Sequence, residues 1–182
     1  MTIDLDGLAR GVASVKSAGM PIVDDVRAST ALSNEIFDLL GPHAFHEVGR
    51  EARTLVPQAT LTKVDGLIGQ MLDHQASART AIDDAFGSGT WMSEYVRTDT
   101  AFTNEARRIL ADPRLGPESA DTARSLLGSN NFAYGELVDA LQRGRVEKLA
   151  DAEMFRYIKP LDDTALQRAN SWREIFERPV TA

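Results

Sequence analysis

From Leu61 to Ala85, core-type positions recur in alternating steps of three and four: Leu61, Val64, Ile68, Met71, Gln75, Ala78, Ile82, Ala85. A strand would need a period of two, and a helix repeats near 3.6. The run therefore predicts one long helix over about 61–85, packed at a shallow angle against neighbours of its own kind. A stripe of that length cannot be sheltered by one short partner. The rest of the chain must supply further helices, and the fold class is all-α.

The same periodicity runs through the remaining sequence and predicts about eight or nine helices around the 61–85 element. Leu5, Leu8, Val12 and Val15 form a stripe over 4–18, and Gly19 with Pro21 reads as a stop. A second helix over 24–40 takes Asp24 or Asp25 as its cap. A third spans 43–55, with Phe45, Val48, Ala52 and Leu55 on one side. After the break at Gly87-Ser88-Gly89, a short helix over 91–97 precedes another capped by Asp99 or Thr100 and ending near Leu110. Pro117 opens the next, which Gly128 stops. Helices follow around 132–144 and 145–159, and a last one carries Leu166, Trp172, Ile175 and Phe176. Short connections favour antiparallel neighbours and a compact bundle. The 182 residues suit a single domain over 1–182, with a soft boundary near 111–117.

Composition removes several chemistries. The absence of cysteine rules out disulfides, thiolate metal sites and thiol nucleophiles. A formal charge of −7 opposes a general role on nucleic acid, where clustered positive charge supplies most of the affinity. Arginine provides 16 of the 20 basic residues, yet no glycine-rich cradle accompanies it, so the excess reads as composition and not as an anion site. No run of 18 apolar residues points to a membrane span, and residues 1–6 lack a charged-then-apolar leader pattern, so the expected address is cytoplasmic.

Three histidines, His43, His46 and His74, are the only candidates for imidazole ligation. If the third and fourth predicted helices form a hairpin, His43 comes level with Asp73 and His74 and His46 with Gln70, so that all three histidines could lie at one level. Such a group could hold zinc or another divalent ion. The helix faces oppose this, because His43 and His46 share their side with Glu47, Arg50 and Arg53. The stretch His43-Ala-Phe-His46-Glu47 resembles the His-x-x-His segment of zinc-binding chemoreceptor domains. Those domains also use a cysteine, which this chain lacks, so no membership follows.

Asp24–Asp25 and Asp162–Asp163 read as caps, and Asp83–Asp84 is too isolated for a magnesium motif. Gly87-Ser88-Gly89 lacks the strand and the lysine of a phosphate loop. Gln75, an amide on the apolar seam, either fixes register or lines a cavity. Gly66 and Gly69 predict close helix approach. Trp91 and Tyr95 follow the glycine turn and, with Gln75, are the candidate ligand or partner residues.

The leading expectation is a non-catalytic regulatory or adaptor protein that binds a protein partner through a helical face, with no cofactor. The alternative is a sensory bundle holding a small ligand or divalent metal between helices. An enzyme with a site dispersed over Gln75, Trp91 and Tyr95 ranks third.

Overall fold

A computed structural model describes residues 4–41, 56–112, 117–128 and 131–144, and everything described is helix or connecting turn. Among the described residues there are five helices: α1 (Leu5–Leu40), α2 (Gln58–Phe86), α3 (Trp91–Leu110), α4 (Pro117–Gly128) and α5 (Asn131–Arg143). The expected helices over 43–55, 145–159 and beyond 162 lie outside the described residues. Among those described, no helix is long and apolar enough to cross a membrane.

The count of eight or nine is corrected at two places where expected pairs are single helices. The first is α1, which runs 36 residues straight through Gly19 and Pro21. Pro21 cannot donate to the carbonyl one turn back and costs about 3 kcal/mol in a helix interior. Directly after it, Ile22, Val23 and Val26 are buried. Full burial of each side chain is worth about 1.5–3 kcal/mol, so packing outweighs the missing bond. Gly19 is not a stop either. It is buried against α5, and a Cβ there would stand 3.0 Å from the Cβ of Leu141.

The second is α3, one helix of 20 residues and not two. Its cap is Thr90, whose hydroxyl accepts the Ser93 N–H at 3.3 Å. Asp99, expected as a cap, sits buried in mid-helix. Gly87 and Gly89, at φ +94 and +80, make the turn between α2 and α3. Few side chains tolerate that left-handed region.

The centre of the bundle also shifts. Helix α2 occupies the expected 61–85 span with three extra residues at its start and one at its end, and it packs on α1 and α3. Helix α1 touches α2, α4 and α5, and is the hub. Glu35–Lys63 (3.1 Å) and Asp25–His74 (2.9 Å) set α1 antiparallel to α2. Gln75–Asp99 and Asp65–Arg107 set α2 antiparallel to α3.

Two apolar cores stack along these three helices. One joins Ile22, Val26, Ile82, Tyr95, Leu137 and Leu141, with α5 as the fourth wall. The other joins Ile36, Val64, Ile68, Phe102, Ala123 and Leu127, with α4 in that place. The fourth position of the bundle is thus shared between two short helices end to end.

Candidate functional site

The level between the two cores is polar. Gln75 is 1% exposed and Asp99 3% exposed, and both face the α2–α3 interface. Gln75 Nε2 donates to Asp99 Oδ2 at 2.9 Å and to Thr103 Oγ1 at 3.0 Å. The Thr103 hydroxyl donates to the Asp99 backbone carbonyl at 2.9 Å. These contacts fix the amide orientation, since only the NH₂ end can donate to a carboxylate. The other end, Gln75 Oε1, is buried without a hydrogen-bond partner. Tyr95 lies one helical turn before Asp99. Burial, with the negative charge of Asp99 adding to it, holds its phenol protonated far above the usual range.

On the α1–α2 side of the same level, Asp25 binds two residues of α2. His74 Nδ1 is 2.9 Å from Asp25 Oδ1, and the Ser77 hydroxyl donates to Asp25 Oδ2 at 2.6 Å. The order of these three groups opposes nucleophilic catalysis. In a serine–histidine relay the hydroxyl donates to the imidazole and the carboxylate orients the ring. Here the serine proton goes to the carboxylate, so the ring cannot activate it in this arrangement.

The sequence candidates fare unequally. Gln75 and Tyr95 are buried in the middle and lower parts of the bundle. Trp91 begins α3, and its side chain lies outside what is described. His43 and His46 lie outside the described residues, and with them the four-residue metal group. His74 meets Asp25, and Asp73 is exposed. Among the described residues no group of three His, Cys, Asp or Glu could hold a metal ion. Among the described residues Gly66 and Gly69 show no close approach: a Cβ at Gly66 meets none of them within 4 Å, and at Gly69 only the end of Arg107 at 3.9 Å.

Asp25, Asp99 and Thr103 were missed because an Asp followed by an apolar run reads as a cap. The available signal was spacing. Met92, Tyr95, Asp99, Thr103 and Ala106 keep steps of three and four, so Asp99 belongs to a buried stripe and not to a helix end.

Two surface features complete the description. A cleft of about 310 Å³ between the start of α2 and the end of α3 is lined by Leu61, Asp65, Ile68, Arg107 and Leu110 among others. Its charges cancel, because Arg107 grips Asp65 with both prongs at 2.7 and 3.1 Å. Those bonds lower the Asp65 pKa and raise that of Arg107.

The other feature is the start of α1. Leu5 and Leu8 continue the stripe of Val12, Val15 and Gly19, which further on becomes the buried seam of Ile22, Val23 and Val26. The antiparallel registers bring the ends of α2 and α5 level with about residues 12–16 of α1, and Gly144 packs on Val12 and Lys16. The first two turns of α1 therefore extend past both, by about 10 Å at 1.5 Å per residue. Leu5 is 69% and Leu8 58% exposed.

No family model, curated protein or solved structure matches the chain. The described residues form an α-helical bundle of five helices with a buried polar level and, at one end, a seam that none of them covers.

Proposed function

We propose that the chain is a non-catalytic binding module that takes an amphipathic helix of a protein partner on the first turns of α1. The supporting observation is continuity. Leu5 and Leu8 belong to the same stripe that α2 and α5 cover further along, so a partner helix there would extend an interface the bundle already uses. Helix-in-groove recognition reads anchors at this three-to-four spacing. The arrangement of Asp25, His74 and Ser77 adds weight, because it does not supply an activated nucleophile.

Each leucine has about three-fifths of its surface available. Full burial of a leucine is worth about 1.5–3 kcal/mol, so the pair offers about 2–4 kcal/mol to a partner. That corresponds to about 30- to 1,000-fold in affinity.

The test is a photo-crosslinking amino acid at Leu8 in living cells, with exposed Gln142 as the control position. The reading expects one protein adduct at Leu8, none at Gln142, and loss of the adduct on Leu5→Asp. With the purified partner, the Leu5→Asp/Leu8→Asp variant should bind at least about 30-fold more weakly with unchanged melting. No adduct, the same adduct at both positions, or an adduct only with a second copy of this chain would remove the proposal.

A further inference from the structure

Gly144, the residue after α5, sits on α1. A Cβ added there would stand 2.7 Å from Val12 Cγ1, 3.1 Å from the Val12 carbonyl oxygen and 3.5 Å from Lys16 Cγ. Three residues earlier, Leu141 meets Gly19. Helix α5 therefore runs along α1 towards its start, and the next positions on the same stripe are Leu8 and Leu5. Both are exposed, and their exposure begins where α5 stops.

Reach singles out one later segment of the chain for this face. Residues 42–55 are tied to Gly41 and Val56, and residues 113–116 to Asp112 and Pro117, all at the far end of the bundle. From there Leu5 is about 50 Å away along α1, at 1.5 Å per residue, while an out-and-back excursion of residues 42–55 covers at most about 25 Å. Residues 129–130 follow Leu127, whose carbonyl accepts from Ser33, well up α1. Residues 145–182 instead start beside Val12. Leu8 lies one turn beyond Val12 and Leu5 about two, roughly 6 and 10 Å further. Val146 and Leu149 are two and five residues past Gly144. Five residues span about 7 Å as a helix and up to about 17 Å extended, so Leu149 reaches Leu8 in either form.

The geometry points to the segment after Gly144 as a cover for the first turns of α1, with Val146 and Leu149 packed on Leu8 and Leu5. The cover prolongs the α1–α5 interface along the stripe that α5 already buries. It also gives the site for a partner helix a regulator, a consequence that rests on the reading proposed above: the partner binds only the uncovered fraction, which lowers its apparent affinity by that fraction. Being part of the same chain, the cover acts at an effective concentration in about the millimolar range and does not need a second molecule.

The chain has no cysteine, so a single introduced thiol reports on its own surroundings. In the purified full chain, the thiol of Leu8→Cys should react with iodoacetamide about tenfold or more faster once Val146→Asp/Leu149→Asp is added. Arg10→Cys, exposed and about 200° round the helix from Leu8, should react at one rate in both backgrounds. Val96→Cys, buried in the core, should stay slow in both, which shows that the bundle remains folded; Val146→Ser/Leu149→Ser serves if the charged pair unfolds it. The protection of Leu8→Cys should persist on dilution. Equal Leu8→Cys rates in the two backgrounds overturn the cover, and so does protection lost on dilution, which would mean a second copy. The regulation is read separately, with the photo-crosslinker at Leu8 in cells: Val146→Asp/Leu149→Asp should raise the yield of the partner adduct, and an unchanged yield overturns it. Thiol protection with no adduct in either background would remove the partner reading and leave the cover standing.

Discussion

Gly19 and Gly66 both lie inside long helices, and replacing each with alanine should have opposite consequences. Alanine is favoured over glycine by about 1 kcal/mol in a helix interior. At Gly66 the new methyl meets none of the described residues within 4 Å, so the full gain should appear. At Gly19 the methyl would stand 3.0 Å from Leu141 Cβ and 3.1 Å from its Cδ2. The Cβ belongs to the base of the side chain and cannot swing aside, so α1 and α5 must part. Overpacking of this kind costs about 1–3 kcal/mol. The net for Gly19→Ala is therefore between about zero and a loss of 2 kcal/mol, which places it about 1–3 kcal/mol below Gly66→Ala. Urea unfolding of the two variants and the parent gives the difference directly. A double-mutant cycle sharpens it: in a Leu141→Gly background both contacting atoms are gone, and Gly19→Ala should become stabilising. If Gly19→Ala stabilises the parent as much as Gly66→Ala does, the close contact between α1 and α5 is not there.

Pro21→Ala restores a hydrogen bond in mid-α1 and should raise stability by up to about 3 kcal/mol, read in the same urea titration; an unchanged midpoint would mean that the helix does not run through this residue. Gln75→Leu removes a donor to buried Asp99 and should cost about 1–3 kcal/mol in urea unfolding; an unchanged midpoint would refute the pairing. Arg107 lowers the Asp65 pKa, so the pair stabilises the fold above the ordinary carboxylate range and the contribution fades as pH falls through the folded-state value. Both groups are largely exposed to solvent, which limits the effect to about 1 kcal/mol or less. In a carboxyl NMR titration, Arg107→Gln should move the Asp65 midpoint upward, and an unmoved midpoint would exclude the bond. The Tyr95 phenol is held protonated by burial, so stability should fall as pH rises above about 10, where an unfolded tyrosine ionises; Tyr95→Phe should flatten that fall.

What periodicity can reveal here, it did. Helix α2 was legible to within three residues because its stripe is strict and its ends are marked by Pro57 and Gly87. Helices α4 and α5 were legible through Pro117, Gly128 and Gly144. The errors in α1 and α3 share one origin. Gly, Pro and Asp carry local preferences of about 1–3 kcal/mol that read as punctuation. Burial of the flanking residues amounts to more than that, and its size depends on partners far away in the chain. Leu141, which explains Gly19, is 122 residues distant. The site was legible only in its seam residue, Gln75. Its partners Asp99 and Thr103 looked like the start of a helix because their own stripe was divided in the middle.

The polar level does more than interrupt two apolar cores, because it makes the register of α2 against α3 costly to change. The apolar positions on both helices repeat every three or four residues, so sliding one by a turn would still match greasy side chains. It would not match Gln75 to Asp99. A slip of one turn would leave that carboxylate buried and without the Gln75 donor, and a lost hydrogen bond to a buried charged group costs about 1–3 kcal/mol. A comparable loss comes from neither core alone, where a leucine displaced by a turn finds another apolar neighbour. The buried amide on the α2 seam is therefore the residue that makes the pairing unique.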